Sequence, residues 1–319
     1  MDRLMFLFMK RGISLRMKNI KFWSILALVA MTAFSFMVPQ SASADAIKGE
    51  TVVTLGKDLT GTQRDQILKE MGVDENADNV TVIDVTNEEE HQYLGNYLGA
   101  DVIGRRAISS AKIVLTSSGE GISVDTNKIT TITPSMYANA AITAGIKDAD
   151  IYVTAPFEVS GTAGLTGIIK AFETATGEKI DENKKQVANE EIVRTQELSQ
   201  ELGDPNKAVQ FINEVKKQVS EEKPQNPEEF RDIIINVSND FDINLNQETV
   251  NNLVQYAQHF SQLGIDWDQL SKQFESLRGD IKDILNSETT QGIIDTIFEW
   301  LGDIFKALGE LFTSASSRQ

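Results

Sequence analysis

DADIYVTAPFEVSGTAGLTGIIKAFETATG, residues Asp148 to Gly177, sets the fold class, because it carries a strand, a break of small residues and an amphipathic helix in one run. DADIYVTAP is rich in β-branched and aromatic residues, as a strand requires, and Pro156 is its expected stop. The small residues near Ser160 then start a helix with Leu165, Ile168, Ile169 and Phe172 on one face, closed by Gly177. The same small residues raise a chemical question. A phosphate-cradling loop needs lysine directly after its last glycine and then Ser or Thr for magnesium. Here Ile168 follows Gly167, Ile169 precedes Lys170, and Ala171 stands where the hydroxyl belongs. Gly161, Gly164 and Gly167 are also spaced GxxGxxG, not the GxGxxG of a dinucleotide site. What the run still offers is an anion site at a helix N-terminus. Ser160 or Thr162 can cap the helix, and N–H groups from Gly161 to Gly164 can hold a carboxylate, sulfate or phosphate.

Upstream, TVVTLG reads as a strand and Thr60 with Gln63 as a capping box for a helix carrying Ile67, Leu68 and Met71, ended by Gly72. TVIDVT is a second strand, and Thr86 with Glu89 a second capping box before Tyr93, Leu94, Tyr97 and Leu98 at helical spacing. An apolar strand at Ala111 to Leu115, the turn SSGEG and a return strand ending near Asp125 read as a hairpin. A short strand at Ile129 to Ile132 and a helix from Pro134 to Gly145 complete residues 45–177 as a mixed sheet with flanking helices. Downstream the pattern is helical: an extension over 178–220 broken at Gly203-Asp204-Pro205, a Pro-containing linker over 221–229, and a bundle-like domain over 230–319. Its helices are expected at Pro227 to about Val237, Gln247 to Leu263 and Asp266 to about Leu285. A last one, Gly292 to Phe312, has a wide apolar stripe suited to docking within the chain or to self-association. The class is α+β.

The N-terminus has the parts of a secretory signal. Lys18 and Lys21 precede the uncharged core Ser24 to Val38, and Ala42-Ser43-Ala44 ends a cleavage region, so residues 1–44 are expected to be removed. An uncleaved membrane anchor is the alternative, although about 15 apolar residues fall short of a bilayer span. Met17 stands directly before the basic region and is a candidate true start. Residues 1–44 hold six basic residues and one acidic, which leaves 24 Lys+Arg against 46 Asp+Glu and a formal charge of −22. That field disfavours nucleic acid and anionic lipid, and no basic patch opposes it. Cysteine is absent, which excludes a lipid-attachment cysteine, structural disulfides and thiolate metal sites. Secreted or wall-proximal extracellular space is the expected location.

Asp240, Asp242, Asn244 and Asn246 place oxygen ligands at alternate positions, like the first half of a calcium loop. Leu245 stands where such a loop needs glycine, and Asn251 where it needs a bidentate Glu, so a helix cap at Asn246 competes with calcium as their use. Glu88 and His91 can pair on one helical face, but one histidine and one carboxylate fall short of zinc, and an acidic first turn explains the run Glu88-Glu89-Glu90. There is no GxSxG elbow or cysteine nucleophile, and no catalytic residue is nominated. A non-catalytic binding or structural module therefore leads, and an envelope-directed hydrolase using dispersed Asp and Glu is the rival.

VTNEEEHQYLG (from Val85), GRRAISSAKIV (from Gly104), the block from Met136 to Gly177 and INLNQETVNNLV (from Ile243) with GIDWDQL resemble the DUF1002 family of secreted or envelope-associated proteins of Gram-positive bacteria. The resemblance covers nearly all of the chain after residue 44. It implies export and a shared architecture, and it implies no activity, substrate, cofactor or catalytic residue.

Overall fold

The structure is a computed structural model that describes residues 48–278. The expected leader at 1–44 and the stripe from Gly292 to Phe312 lie outside the described residues. β1 (Thr51–Gly56) leads through α1 (Gly61–Glu70) into β2 (Val80–Val85). β1 and β2 pair in parallel, from Thr51 opposite Val80 to Gly56 opposite Val85, so α1 is a crossover helix. Thr60 accepts from the Gln63 N–H while the Gln63 side chain accepts from the Thr60 N–H, which satisfies two donors that a helix start leaves unpaired. Thr86 and Glu89 repeat the arrangement at α2 (Asn87–Leu94). That helix stops before Tyr97 and Leu98, and the single turn α3 (Ala100–Ile103) follows.

β3 (Ser110–Leu115) and β4 (Ile122–Ile129) do not form the expected hairpin. The strand order is β2-β1-β3-β5-β4, with β5 (Ala149–Val159) between them. β3 pairs antiparallel with β5, and β4 pairs with β5 in parallel through the crossover helix α4 (Pro134–Ala144). Parallel pairing lays α4 on the sheet, where every residue from Ser135 to Ala144 is buried. That burial outweighs what one tight turn could contribute. The separate strand expected at 129–132 is absent, because β4 itself runs to Ile129, which pairs with Val159 after a break in register. Pro156 does not stop β5 either. β3 ends at Ser110 opposite Thr154, and the β4 register is broken beyond Thr154, so no ladder bond is lost to the missing N–H.

Side-chain alternation sends Ala111, Ile113, Val124, Ile151 and Val153 toward the helices α4 and α5 (Gly164–Thr176). Val53 and Leu55 face the other way and pack with Ile67, Leu68 and Met71 of α1. Gly167 permits the close seat of α5, since a Cβ there would stand 2.7 Å from Thr54 Oγ1. Beyond α4 lie α6 (Glu182–Leu202), α7 (Pro205–Glu222), α8 (Pro227–Asp240), α9 (Gln247–Gln262) and α10 (Trp267–Glu275). Asp181, Asp204, Asn226, Asn246 and Asp266 cap them, each side chain accepting from a first-turn N–H.

The sequence-derived class, a mixed sheet with helices followed by a helical C-terminal region, is the observed one. A single apolar cluster runs from Val52 and Ile151 in the sheet through Ile142 to Phe211, Ile234, Leu253 and Phe260 in the helices. Residues 221–229 comprise the end of α7, Lys223 in a left-handed conformation, the buried Pro224, and Asn226 as the cap of α8. Among the described residues no helix is long and apolar enough to cross a membrane.

Candidate functional site

Because Ala149, Ile151 and Val153 of β5 point inward, Asp150, Tyr152 and Thr154 must point outward. The register sets their neighbours: Asp150 stands between Val114 and Ser123, and Tyr152 between Lys112 and Asp125. α1 covers the β1 side of this outer face. Next to it lies an open cleft of ≈ 580 Å³ lined by Glu70, Met71, Lys112, Val114, Ser123, Asp125, Asp150, Ile151 and Tyr152.

Glu70, the last residue of α1, forms one wall. Its Oε1 accepts from Thr154 Oγ1 at 2.6 Å, Asn127 Nδ2 at 2.9 Å and the Tyr152 hydroxyl at 3.0 Å, and its Oε2 accepts from Lys128 Nζ at 2.9 Å. Burial opposes ionisation of this carboxyl, but the bonds from Thr154, Lys128, Asn127 and Tyr152 outweigh it and lower the pKa to about 2. Burial, reinforced by the Glu70 carboxylate, raises the pKa of the Tyr152 phenol. Lys112 Nζ donates to the Met71 carbonyl at 2.7 Å and lies 6.0 Å from the Tyr152 ring centroid. Asp150 accepts from the Ser123 hydroxyl at 2.6 Å and from the Arg278 guanidinium at 2.5 Å. The cleft thus presents fixed acceptors and an ammonium group, an arrangement suited to holding polar groups.

The residues singled out from the sequence fall elsewhere. At the start of α5, Ala163 is the N-cap and no side chain caps it. Ser160 Oγ and Thr162 Oγ1 lie 3.4 Å from each other, and the Gly161 carbonyl accepts from the Gly164 N–H at 2.9 Å and from the Tyr137 hydroxyl. Tyr137 is fully buried and stands over this turn, so that a Cβ on Gly164 would meet its hydroxyl at 2.4 Å. Asp240 ends α8, Asp242 has φ 51°, and Asn246 Oδ1 accepts from the N–H groups of Glu248 at 2.9 Å and Thr249 at 3.0 Å. Asn244 is exposed between them. Among the described residues no group of three or more His, Asp or Glu is placed to hold a metal ion. His91 Nε2 meets the Gly104 carbonyl at 3.1 Å, tying α2 to the end of α3. Glu90 departs from the expected solvent-facing turn: it is 1 % exposed, and burial lifts its pKa to about 7 against the opposing bond from Asn87.

The profile of a family described as "Protein of unknown function (DUF1002)" matches residues 55–277. The chain belongs to the DUF1002 family. It is similar to a Bacillus subtilis (strain 168) protein described as "Uncharacterized protein YpuA", with 39% identity over 293 residues, 92% of this chain and 99% of that one. No solved structure matches the chain. Every residue lining the cleft lies within the DUF1002 match, and Arg278 lies one residue beyond it.

The DUF1002 region also encloses a polar cluster that reading the sequence missed. Lys216 of α7 has no exposed side-chain surface, and its Nζ donates to Glu191 Oε1 at 2.9 Å, Asn139 Oδ1 at 3.1 Å and Thr143 Oγ1 at 3.2 Å. Glu191 Oε2 accepts from Thr143 Oγ1 at 2.6 Å and the Tyr256 hydroxyl at 2.8 Å. Nearby, Glu190 Oε2 meets His259 Nδ1 at 2.7 Å. A signal was available. Lys216 sits between Ile212 and Val219 on the apolar stripe of α7, and Glu191 between Ala188 and Leu198 on that of α6, positions where helical spacing demands burial.

Proposed function

We propose that this chain is an exported binding module that holds a small polar ligand, or polar groups of an envelope partner, in the cleft on the outer face of the sheet. The observation that carries this reading is the row of polar side chains that the register brings into one open cleft, Lys112, Ser123, Asp125, Asp150 and Tyr152. Glu70 on the cleft wall, with its pKa at about 2 and both oxygens taken by protein donors, is committed to the fold and cannot supply a proton at neutral pH. Glycoside or peptide hydrolysis by paired carboxylates needs one acid held up near working pH. The buried acid with a pKa near 7, Glu90, is not among the residues lining the cleft. Export is supported by the basic, apolar and small-residue segments between Lys18 and Ala44.

The test uses purified chain beginning at Asp45, titrated by NMR with neutral peptidoglycan fragments and amino sugars. The expected result is saturable shifts at Lys112, Asp125 and Tyr152, with affinity weakened about tenfold or more by Lys112→Ala. A released product that requires Asp125 or Glu70 would overturn it in favour of hydrolysis. Fractionation of cells making the full chain tests export separately, and retention in the cytoplasm would remove that part.

A further inference from the structure

The geometry points to a covalent bond that the folded chain makes within itself: an amide between Lys216 Nζ and Asn139 Cγ, with Glu191 carrying the protons. The three side chains come from different helices, α7, α4 and α6. All are sealed from water, with Lys216 and Asn139 at 0% exposure and Glu191 at 1%. Nζ lies 3.1 Å from Asn139 Oδ1, and a carbonyl bond of about 1.2 Å then keeps it within about 4.3 Å of Cγ. A small side-chain rotation reaches the roughly 3–3.5 Å separation of a reacting pair. Asn139 Nδ2, the group that must leave, is buried without a hydrogen-bond partner, so the fold does nothing to retain it. Glu191 touches the lysine at 2.9 Å, and Thr143 and Tyr256 orient its other oxygen. The Phe274 ring closes the site, its centroid 5.1 Å from Nζ.

Burial disfavours the ammonium form of Lys216, and Glu191 is in place to receive its proton. The neutral amine attacks Cγ, a C–N bond forms and the carbonyl electrons move to Oδ1. As Cγ becomes tetrahedral the unpartnered Nδ2 is free to turn toward Glu191, which then delivers its proton to Nδ2, and the carboxylate so regenerated takes one from the attacking nitrogen it already touches. The Cγ–Nδ2 bond breaks as the carbonyl re-forms, and ammonia departs. The protons balance: one remains on the new amide nitrogen, three leave in ammonia and one stays on Glu191. No oxidant or second reactant is needed. The bond would fasten α4 to α7 in a chain that has no cysteine.

Intact-mass measurement of purified chain beginning at Asp45 tests this. The mass is expected to fall short of the sequence by one ammonia, and a tryptic digest is expected to contain a branched peptide joining residues 139 and 216. Glu191→Gln, which keeps the side-chain shape, is expected to have the full mass and linear peptides, with unchanged circular dichroism. Asn139→Asp is expected to form the same bond with loss of water. A wild-type mass equal to the sequence overturns the proposal, and the wild-type result decides even if the variants do not fold. A deficit of one ammonia with both peptides linear also overturns it, because that marks a cyclic imide at an asparagine.

Discussion

Replacing Glu70 by Gln tests whether this carboxylate is the charged fastener that ties α1 to β4 and β5. The side chain keeps its size and an acceptor for the Thr154 and Tyr152 hydroxyls, but loses the negative charge facing Lys128 and turns an amide N–H₂ toward one of its donors. The distance between an ordinary 4.5 and about 2 sets a ceiling of about 3 kcal/mol on what ionisation contributes. The side chain is 21% exposed, and screening by that water leaves about 1–2 kcal/mol. For a chain of this size the loss corresponds to about 2–4 °C in melting temperature at pH 7. The sign follows from the lowered folded-state pKa: the wild-type advantage is complete above about 4.5 and disappears as the pH falls toward about 2. Paired thermal melts of wild type and Glu70→Gln at pH 7, 5, 4 and 3 measure it. A gap that stays constant across that range, or no gap at pH 7, refutes the assignment of Glu70 as a charge-dependent tie.

Glu90→Gln has the opposite sign. Ionising Glu90 with its pKa near 7 costs nothing below about 4.5 and the full amount above about 7, so the variant should be about 1–2 kcal/mol more stable than wild type at pH 8. It should show no such gain at pH 4.5, and urea melts at the two pH values give the comparison. Gly164→Ala should cost about 1–3 kcal/mol, because its Cβ would collide with the rigid Tyr137 ring. An unchanged urea midpoint would show that Tyr137 does not cover the start of α5.

How much of this could be read from the sequence depended on whether a feature is local. Capping boxes at Thr60 and Thr86, proline at the start of α4 and glycine at its end are contacts within one turn, and each appears in the structure as read. Strand neighbours are not local. The turn between Leu115 and Ile122 looked like a hairpin because nothing in those residues announces that β5, arriving later, will separate them. Pro156 misled for the same reason, since its cost depends on whether a partner strand faces it. The small residues around Gly161 and Gly164 were legible as a tight helix start, but the reason for them is Tyr137, which approaches from α4. The cleft was invisible for want of a register, as only pairing across β3, β5 and β4 brings Lys112, Tyr152 and Asp125 into one row. Lys216 and Glu191, by contrast, were accessible to a stricter reading of the helical stripes.

The placement of β5 between β3 and β4 bears on how the chain comes to its native state during synthesis. No two neighbouring strands in this sheet are joined by a short turn, so each pairing must wait for a distant partner, a topology that folds slowly. Until residues 149–159 have emerged, β3 has one bare edge and β4 has no partner at all. A chain arrested before Ala149 would therefore expose two templates for intermolecular pairing, and synthesis of eleven residues closes the open side of β3 and leaves β4 a single outer edge.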